Sequence, residues 1–342
     1  MATIRDIARQ LGIAPSTVSR AMTDSYGVKE ETKKIVRETA EKMNYSVNRQ
    51  ARNLVTRRSN LIGFMIPDIS DSFFSKSAYG VEEVLRNSKY EMVYTNVQRD
   101  PVNICKFLRR AEEYCYAGAF VTIDVWTDAV KEQLRSMRIP VISLRRETPP
   151  DMEDILPFVD SDHIAGTESS VNHLLQLGHR KIGYIGFDTP VGNLRAEAFR
   201  SIAKKKELDF IEVGNLSYHN ANIRLSAGYS SAQRLLDACP EITAICAGDD
   251  QLAIGALQYL QENQYRVPED ISLIGYDDRD IAQLFCIQLT TVRQQLYEIG
   301  QYAGRMMLER ILDPERPVSS IRIPTTLKIR RTTAVAKQQI QD

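Results

Sequence analysis

The chain reads as an α/β protein: a three-helix head, a linking segment, then two doubly wound α/β lobes. Three observations predict this. Strand-like apolar runs alternate with helical stretches from residue 61 onward, two short amphipathic helices flank Gly12, and 342 residues exceed what one compact unit holds.

The head comes first. In TIRDIARQLGIAPSTVSRAM, residues 3–22, Thr3 stands three positions before Asp6, the spacing of a capping box, and Ile4, Ile7, Ala8 and Leu11 share one helical face. Gly12 ends that helix and Pro15 suits the first position of a second. Val18, Ala21 and Met22 give the second helix its buried side, and Ser16, Thr17 and Arg20 its outward side. A third helix, about Glu30 to Met43, puts Ile35, Val36, Thr39, Ala40 and Met43 on a stripe that can close a small core. Such a pair can be any helical corner of a globular domain, or a helix-turn-helix that enters a major groove about 12 Å wide. Charge favours the second reading. Residues 1–60 hold 12 Lys+Arg against 6 Asp+Glu, whereas the whole chain balances at 44 and 44, so a basic head precedes an acidic body.

The body follows in order. Runs LIGFMI at 61, EMVYT at 91, GAFVTI at 118, PVISL at 140, KIGYIG at 181, TAICA at 243 and ISLIGY at 271 read as strands. Helical stretches at 76–88, 101–114, 163–177, 225–238 and 250–263 separate them, which implies parallel sheets covered on both faces. Two such lobes in succession leave a cleft at their strand carboxyl ends, where these folds take ligands. No GxGxxG or GxxxxGK[ST] fingerprint is present.

Composition excludes other classes. No apolar run approaches 18 residues and the N-terminus opens into a capped helix, so a cytosolic protein without a membrane partner is expected, nucleoid-associated when it holds DNA. Cys105, Cys115, Cys239, Cys246 and Cys286 form no CxxC and read mostly as buried, reduced thiols. His163, His173, His179 and His219 show no ligand spacing, and neither metal nor cofactor is expected.

The head, together with ARNL at 51–54, IGFMIPD at 62–68, Phe73–Phe74, GHRKIGYIG at 178–186, DDQLAIGAL at 249–257, VPEDISLIGYDD at 267–278 and LTTVRQ at 289–294, resembles the lactose/galactose repressor (LacI/GalR) family of bacterial transcription regulators. The resemblance runs nearly end to end. It implies a helix-turn-helix domain over 1–46, a hinge helix and linker over 47–60, and an effector-binding and dimerisation domain over 61–342. Lobe one would comprise about 61–160 and 292–321 and lobe two about 161–291 and 322–335, with crossings near 160, 291 and 322.

On the DNA side it implies base-edge contacts from Pro15, Ser16 and Arg20, with Thr17 toward the backbone or a thymine methyl, and places Thr3, Tyr26, Tyr45, Asn48, Ala51 and Arg52 at the duplex. Leu54 would wedge into the minor groove and kink the site. Relatives often carry a hydroxyl where Ala14 stands, a polar residue at Pro15 and proline at Val47. The partner would be double-stranded, palindromic operator DNA bound by a homodimer, because the tail after Arg331 is too short for a tetramerising leucine heptad.

On the ligand side the resemblance implies a small sugar or sugar-derived effector held by Phe73, Phe74, Thr122, Arg145, Arg195, Ile223, Asp249 and Asp277. Aromatic faces would stack on the ring, while carboxylates and arginine would bind hydroxyl pairs. Asp250 and Asp278 would cap the following helices. Arg145 stands where sugar-binding relatives place aspartate and, with Arg195, favours an anionic ligand, unless it pairs with a rim carboxylate. Two other classes compete with this non-enzymatic, ligand-responsive repressor of carbohydrate genes. One is a sugar receptor without a DNA role, the other a glycosidase using the Asp249–Asp250 and Asp277–Asp278 doublets. Consecutive residues after a strand point in different directions, so neither doublet makes an acid/base pair by itself.

Overall fold

A computed structural model describes residues 2–22, 26–45, 59–145, 148–213, 223–314, 316 and 319–337. The chain divides into two compact units, Met1–Arg58 and Ser59–Asp342.

In the first unit, α1 (Ile4–Leu11), α2 (Pro15–Met22) and α3 (Glu30–Lys42) enclose Ile7, Ala8, Val18, Ala21, Val36 and Ala40. The Thr3–Asp6 capping box forms in both directions, and Gly12 closes α1 at φ 64°, a left-handed conformation that costs other residues about 1–2 kcal/mol. The third helix departs from its expected stripe. Ile35 is 52% exposed, and Ile13 and Val28 from the turns fill the core in its place.

The second unit holds two six-stranded sheets. The first contains β1 (Leu61–Ile66), β2 (Glu91–Asn96), β3 (Gly118–Val121), β4 (Val141–Leu144), β5 (Phe158–Ser161) and β11 (Ile321–Ile323), ordered β11-β5-β4-β3-β1-β2 and parallel throughout. The second contains β6 (Lys181–Ile185), β7 (Asp209–Val213), β8 (Ala244–Ala247), β9 (Ser272–Asp277), β10 (Thr290–Arg293) and β12 (Thr326–Lys328), ordered β12-β10-β9-β8-β6-β7, with only β12 antiparallel. The chain passes between sheets after Ser161, Arg293 and Ile323. Strand order reverses beside β1 and β6, so each sheet has a switch point at its carboxyl edge.

Helices α4 (Ser75–Leu85), α5 (Pro101–Glu113), α6 (Asp128–Arg135) and the returning α11 (Leu296–Leu312) cover the first sheet. Helices α7 (His163–Gln176), α8 (Pro190–Lys205), α9 (Arg224–Ala238) and α10 (Asp250–Glu262) cover the second. Helices α4 and α11 meet backbone to backbone at Gly80 and Gly300, where a Cβ would overlap the carbonyls of Tyr297 and Ser77. The alternating runs therefore give the doubly wound class the sequence predicts, although β5, β7, α6, α8 and α11 lie outside the runs that read as strands and helices there. Cys246 alone of the five cysteines is buried, its thiol pushed up to about 12 by burial; Cys105, Cys115 and Cys239 are half-buried and Cys286 is exposed, contrary to the mostly buried reading. Among the described residues no helix is long and apolar enough to cross a membrane.

Candidate functional site

Two sites emerge, one in each unit. On the head, the α1–α2 core leaves Thr3, Pro15, Ser16 and Arg20 exposed and Thr17 half-buried, so the first turns of α2 face outward with small polar groups and one guanidinium. Tyr26 is fully exposed, whereas Tyr45 packs partly against the head core. Asn48, Ala51, Arg52 and Leu54 lie outside the described residues.

The second site sits at the carboxyl ends of both sheets. From the second sheet, β9 ends at Asp277, and the β8–α10 turn carries Asp249 and Asp250. Arg195 of α8 donates from Nη2 to Asp277 Oδ1 at 3.0 Å and from Nη1 to the Gly248 carbonyl at 2.6 Å. Its guanidinium carbon lies 3.7 Å from the Tyr276 ring centroid, a buried cation–π contact. Gln294, just past β10, donates to the same Asp277 oxygen at 2.7 Å.

From the first sheet come the β1–α4 loop with Asp71, Phe73 and Phe74, and Thr122 and Arg145 after β3 and β4. The guanidinium of Arg145 lies 4.1 Å from the Phe73 centroid and 4.6 Å from that of Phe74. Phe73 also meets Arg279 from the other lobe, 4.6 Å from its centroid. Arg279 spans the lobes as a fork, donating from Nη1 and Nη2 to the two Asp71 oxygens at 2.8 and 3.3 Å, and Lys76 pairs with Asp280 at 2.6 Å on the rim. Burial alone would raise the Asp71 carboxyl, but hydrogen bonds and charge from Arg279, the Phe73 amide and the Arg145 charge outweigh it and lower it to about 2. Thr122 spends its hydroxyl proton on the Leu144 carbonyl at 2.8 Å.

Caps are distributed differently from expectation. Asp249, not Asp250, caps α10 through the Leu252 amide at 2.8 Å, and it also takes Arg224 Nη1 at 2.6 Å. Asp250 is wholly buried and accepts from Thr291 Oγ1 at 2.5 Å and the Arg279 amide at 2.6 Å. Burial, with the charges of Asp277 and Asp249, raises its carboxyl well above the ordinary range against those two bonds. Asp278 caps nothing; it receives Arg293 and Arg330 at 2.5 and 2.6 Å because the chain turns there into a short 3-10 segment beginning at Asp280.

The structure thus gathers Phe73, Phe74, Arg145, Arg195 and Asp277 around one cleft. Ile223 is 47% exposed just before α9 and among the described residues is not brought to these by any contact, whereas its neighbour Arg224 is buried and pairs with Asp249. Sequence reading missed Asp71, Arg224, Arg279, His163 and Gln294. Asp71, Arg224 and Arg279 are sequence neighbours of predicted residues, and Gln294 lies in a motif already singled out, so adjacency was the available signal. Arg145, Asp277 and Asp278 hold φ of 60°, 109° and 51°, conformations that cost of order 1–3 kcal/mol each and gather where a site over-determines the backbone.

The carboxylates are committed to partners. Asp277 bonds Arg195 and Gln294, and Asp249 bonds Arg224 and a helix amide, so neither stands as one of two facing carboxyls for glycoside cleavage. Among the described residues no group of three or more His, Cys, Asp or Glu is placed to hold a metal ion.

Comparison with known proteins agrees. Residues 3–48 match the model for bacterial regulatory proteins of the lacI family, and residues 171–333 that for a periplasmic binding protein-like domain. The HTH-type transcriptional regulator RegA of Clostridium saccharobutylicum is 30% identical over 312 residues, 90% of this chain and 92% of that protein. The ribose operon repressor of Bacillus subtilis strain 168 is 30% identical over 337 residues, 97% and 99% of the two chains. The lac repressor dimer bound to operator and the anti-inducer ONPF shares the fold, with a TM-score of 0.83 over 97% of this chain and 99% of that one at 22% identity. These relatives are transcriptional regulators, and at this identity and coverage the chain is a member of the lacI family of DNA-binding transcriptional regulators.

Proposed function

We propose that the chain is a dimeric, effector-controlled repressor of carbohydrate uptake or catabolism genes that binds a palindromic operator in the cytoplasm. The convergence of Arg195, Asp277, Arg145 and Phe73 on one cleft between two sheets carries this reading. Arg20 reads a base edge, a bidentate contact worth about 1–3 kcal/mol of discrimination. Pro15, Ser16 and Thr17 seat the helix, and Thr3, Tyr26 and Tyr45 flank it. Asn48, Ala51, Arg52 and Leu54 belong to the hinge, where Leu54 opens a base step. Bending the duplex costs on the order of 1–6 kcal/mol, which two hinges in a dimer offset together.

The effector is a small sugar or sugar derivative. Arg195 and Asp277 present a donor fork and an acceptor side by side, the complement of a vicinal hydroxyl pair. The guanidiniums of Arg279 and Arg145 both lie against the Phe73 ring, and two cations at this end of the cleft favour a derivative bearing a phosphate or carboxylate. The ribose operon repressor among the relatives makes pentoses the first probes. Isothermal titration of the full chain with D-ribose, D-ribose 5-phosphate, D-glucose and D-glucuronate tests this. At least tenfold tighter binding of an acidic member than of its neutral parent is expected. Tight binding by a neutral sugar alone removes the anionic preference, and silence across a broad sugar panel removes the sugar reading.

A further inference from the structure

His163 is not among the proposed ligand contacts, yet it is only 2% exposed and touches both lobes. It opens α7, immediately after the first crossing. Its Nδ1 lies 3.4 Å from Arg195 Nε and 3.3 Å from the Tyr276 hydroxyl, and its Nε2 lies 3.4 Å from Asp160 Oδ1 at the end of β5. A guanidinium nitrogen can only donate, so Nδ1 accepts and the ring proton of the neutral imidazole is on Nε2, which faces Asp160 at 3.4 Å as an electrostatic contact and not as a hydrogen bond.

The contacts close a ring. Asp160 takes the Ser161 amide at 2.7 Å; Ser161 Oγ donates to Gln294 Oε1 at 2.8 Å; Gln294 Nε2 donates to Asp277 Oδ1 at 2.7 Å; Asp277 holds Arg195; and Arg195 returns to His163. Every member is at least nine-tenths buried. Ser161 stands at the first crossing and Gln294 at the second. The third joins through the backbone, since the Asp162 amide donates to the Ile323 carbonyl at 2.8 Å and Thr325 Oγ1 donates to the Asp162 carbonyl at 3.4 Å.

We infer that His163, which follows directly on the first interlobe crossing, is a positioning residue that ties Arg195 to it, so that the three crossings and the Arg195–Asp277 pair move as one unit of hydrogen bonds closed by the His163–Asp160 electrostatic contact. This rests on the reading of Arg195 and Asp277 as effector contacts. A group displacing Arg195 from Asp277 then shifts a ring whose other members are the strands that set the angle between lobes. In a low-dielectric interior such a network is worth more than its separate bonds, and one missing member leaves the others buried and unsatisfied.

Hydrogen–deuterium exchange of the unliganded, full-length protein tests the coupling without depending on any effector. In His163→Ala, peptides spanning 158–163 and, across the ring, 290–295 should both exchange on the order of tenfold faster, the scale of one lost buried hydrogen bond. Gln294→Ala should do the reverse, loosening 158–163. His163→Asn, whose Oδ1 falls near the position of Nδ1 and keeps an acceptor for Arg195, should restore 290–295 to within about twofold of wild type. Faster exchange confined to 158–163 in His163→Ala, an unaltered 158–163 in Gln294→Ala, or no rescue by asparagine would each overturn the inference. Absence of sugar binding by the wild type would remove the effector reading alone and leave the measured coupling standing.

Discussion

Replacing Asp71 by asparagine removes the carboxylate that Arg279 grips across the lobes. The side chains are 3% and 10% exposed, so the pair is buried on both sides. The net stabilisation from the ionised carboxylate follows from its acidity: against burial, Arg279, the Phe73 amide and the Arg145 charge together lower the Asp71 carboxyl from 3.8 to about 2, and at about 1.36 kcal/mol for each pKa unit this amounts to about 2 kcal/mol at neutral pH. Truncating one partner of a buried pair also leaves a charge poorly compensated, which pushes the cost toward 3–5 kcal/mol, although Asp277 at 3.7 Å from Arg279 Nε absorbs part of it. A loss of about 2–3 kcal/mol is expected in urea unfolding of Asp71→Asn at pH 7. The sign with pH is fixed as well. A carboxyl depressed in the folded state stabilises fully above its unfolded value and loses that stabilisation as pH falls from about 4 to about 2. Wild type should therefore lose about 2 kcal/mol more than Asp71→Asn over that window. The double variant Asp71→Asn with Arg279→Gln should recover more than 1 kcal/mol relative to the sum of the singles. Equal stability of Asp71→Asn and wild type at pH 7, or parallel acid profiles, would refute the ion pair as a clamp between the lobes.

Three further outcomes follow from the same geometry. Arg195→Gln, which loses the charged fork on Asp277 and the Gly248 carbonyl, should weaken effector binding at least 30-fold in calorimetry while the protein remains folded by circular dichroism. Gly300→Ala places a methyl on the Ser77 carbonyl and should lower the unfolding midpoint by several degrees, since α4 and α11 have no room to separate without opening the core of the first sheet. Thr3→Ala deletes the capping box and should cost the head about 1 kcal/mol, read as a lower melting temperature of the 1–58 unit within the full chain.

Legibility in the sequence tracked how local the determinants are. The capping box at Thr3–Asp6, the Gly12 stop and the Pro15 start are written within a few residues, and the structure reproduces each. Parallel strands with near-continuous apolar runs, such as LIGFMI and SLIGYD, were equally plain. Strand β7, DFIEV, was not, because at the sheet edge it carries Asp209 and Glu212 among its five residues and is at most half-buried. Helix α11 hid because it is defined by its return to α4, a contact made by Gly80 and Gly300, residues that carry no periodicity of their own. At the cleft, Arg145 and Asp277 came from the family resemblance, and both lie at the ends of strands, Arg145 just past β4 and Asp277 closing β9. Asp71–Arg279 and His163–Arg195 were not legible, since each joins residues 208 and 32 positions apart and neither member is unusual in its local context. Asp249 and Asp250 show the same limit: which of two adjacent carboxylates caps α10 depends on backbone direction at the end of β8.

The central claim is that a grip on DNA is set by what fills the cleft. Fluorescence anisotropy of the full-length chain on the promoter segment beside its own gene, titrated with and without the sugar or sugar acid found by calorimetry, tests it most directly. Sequence-selective, salt-dependent binding is predicted, with an affinity that shifts about 5- to 150-fold with ligand and a shift that Arg195→Gln abolishes. Equal affinity for promoter and scrambled duplex, or an affinity that ligand leaves unmoved, would contradict it.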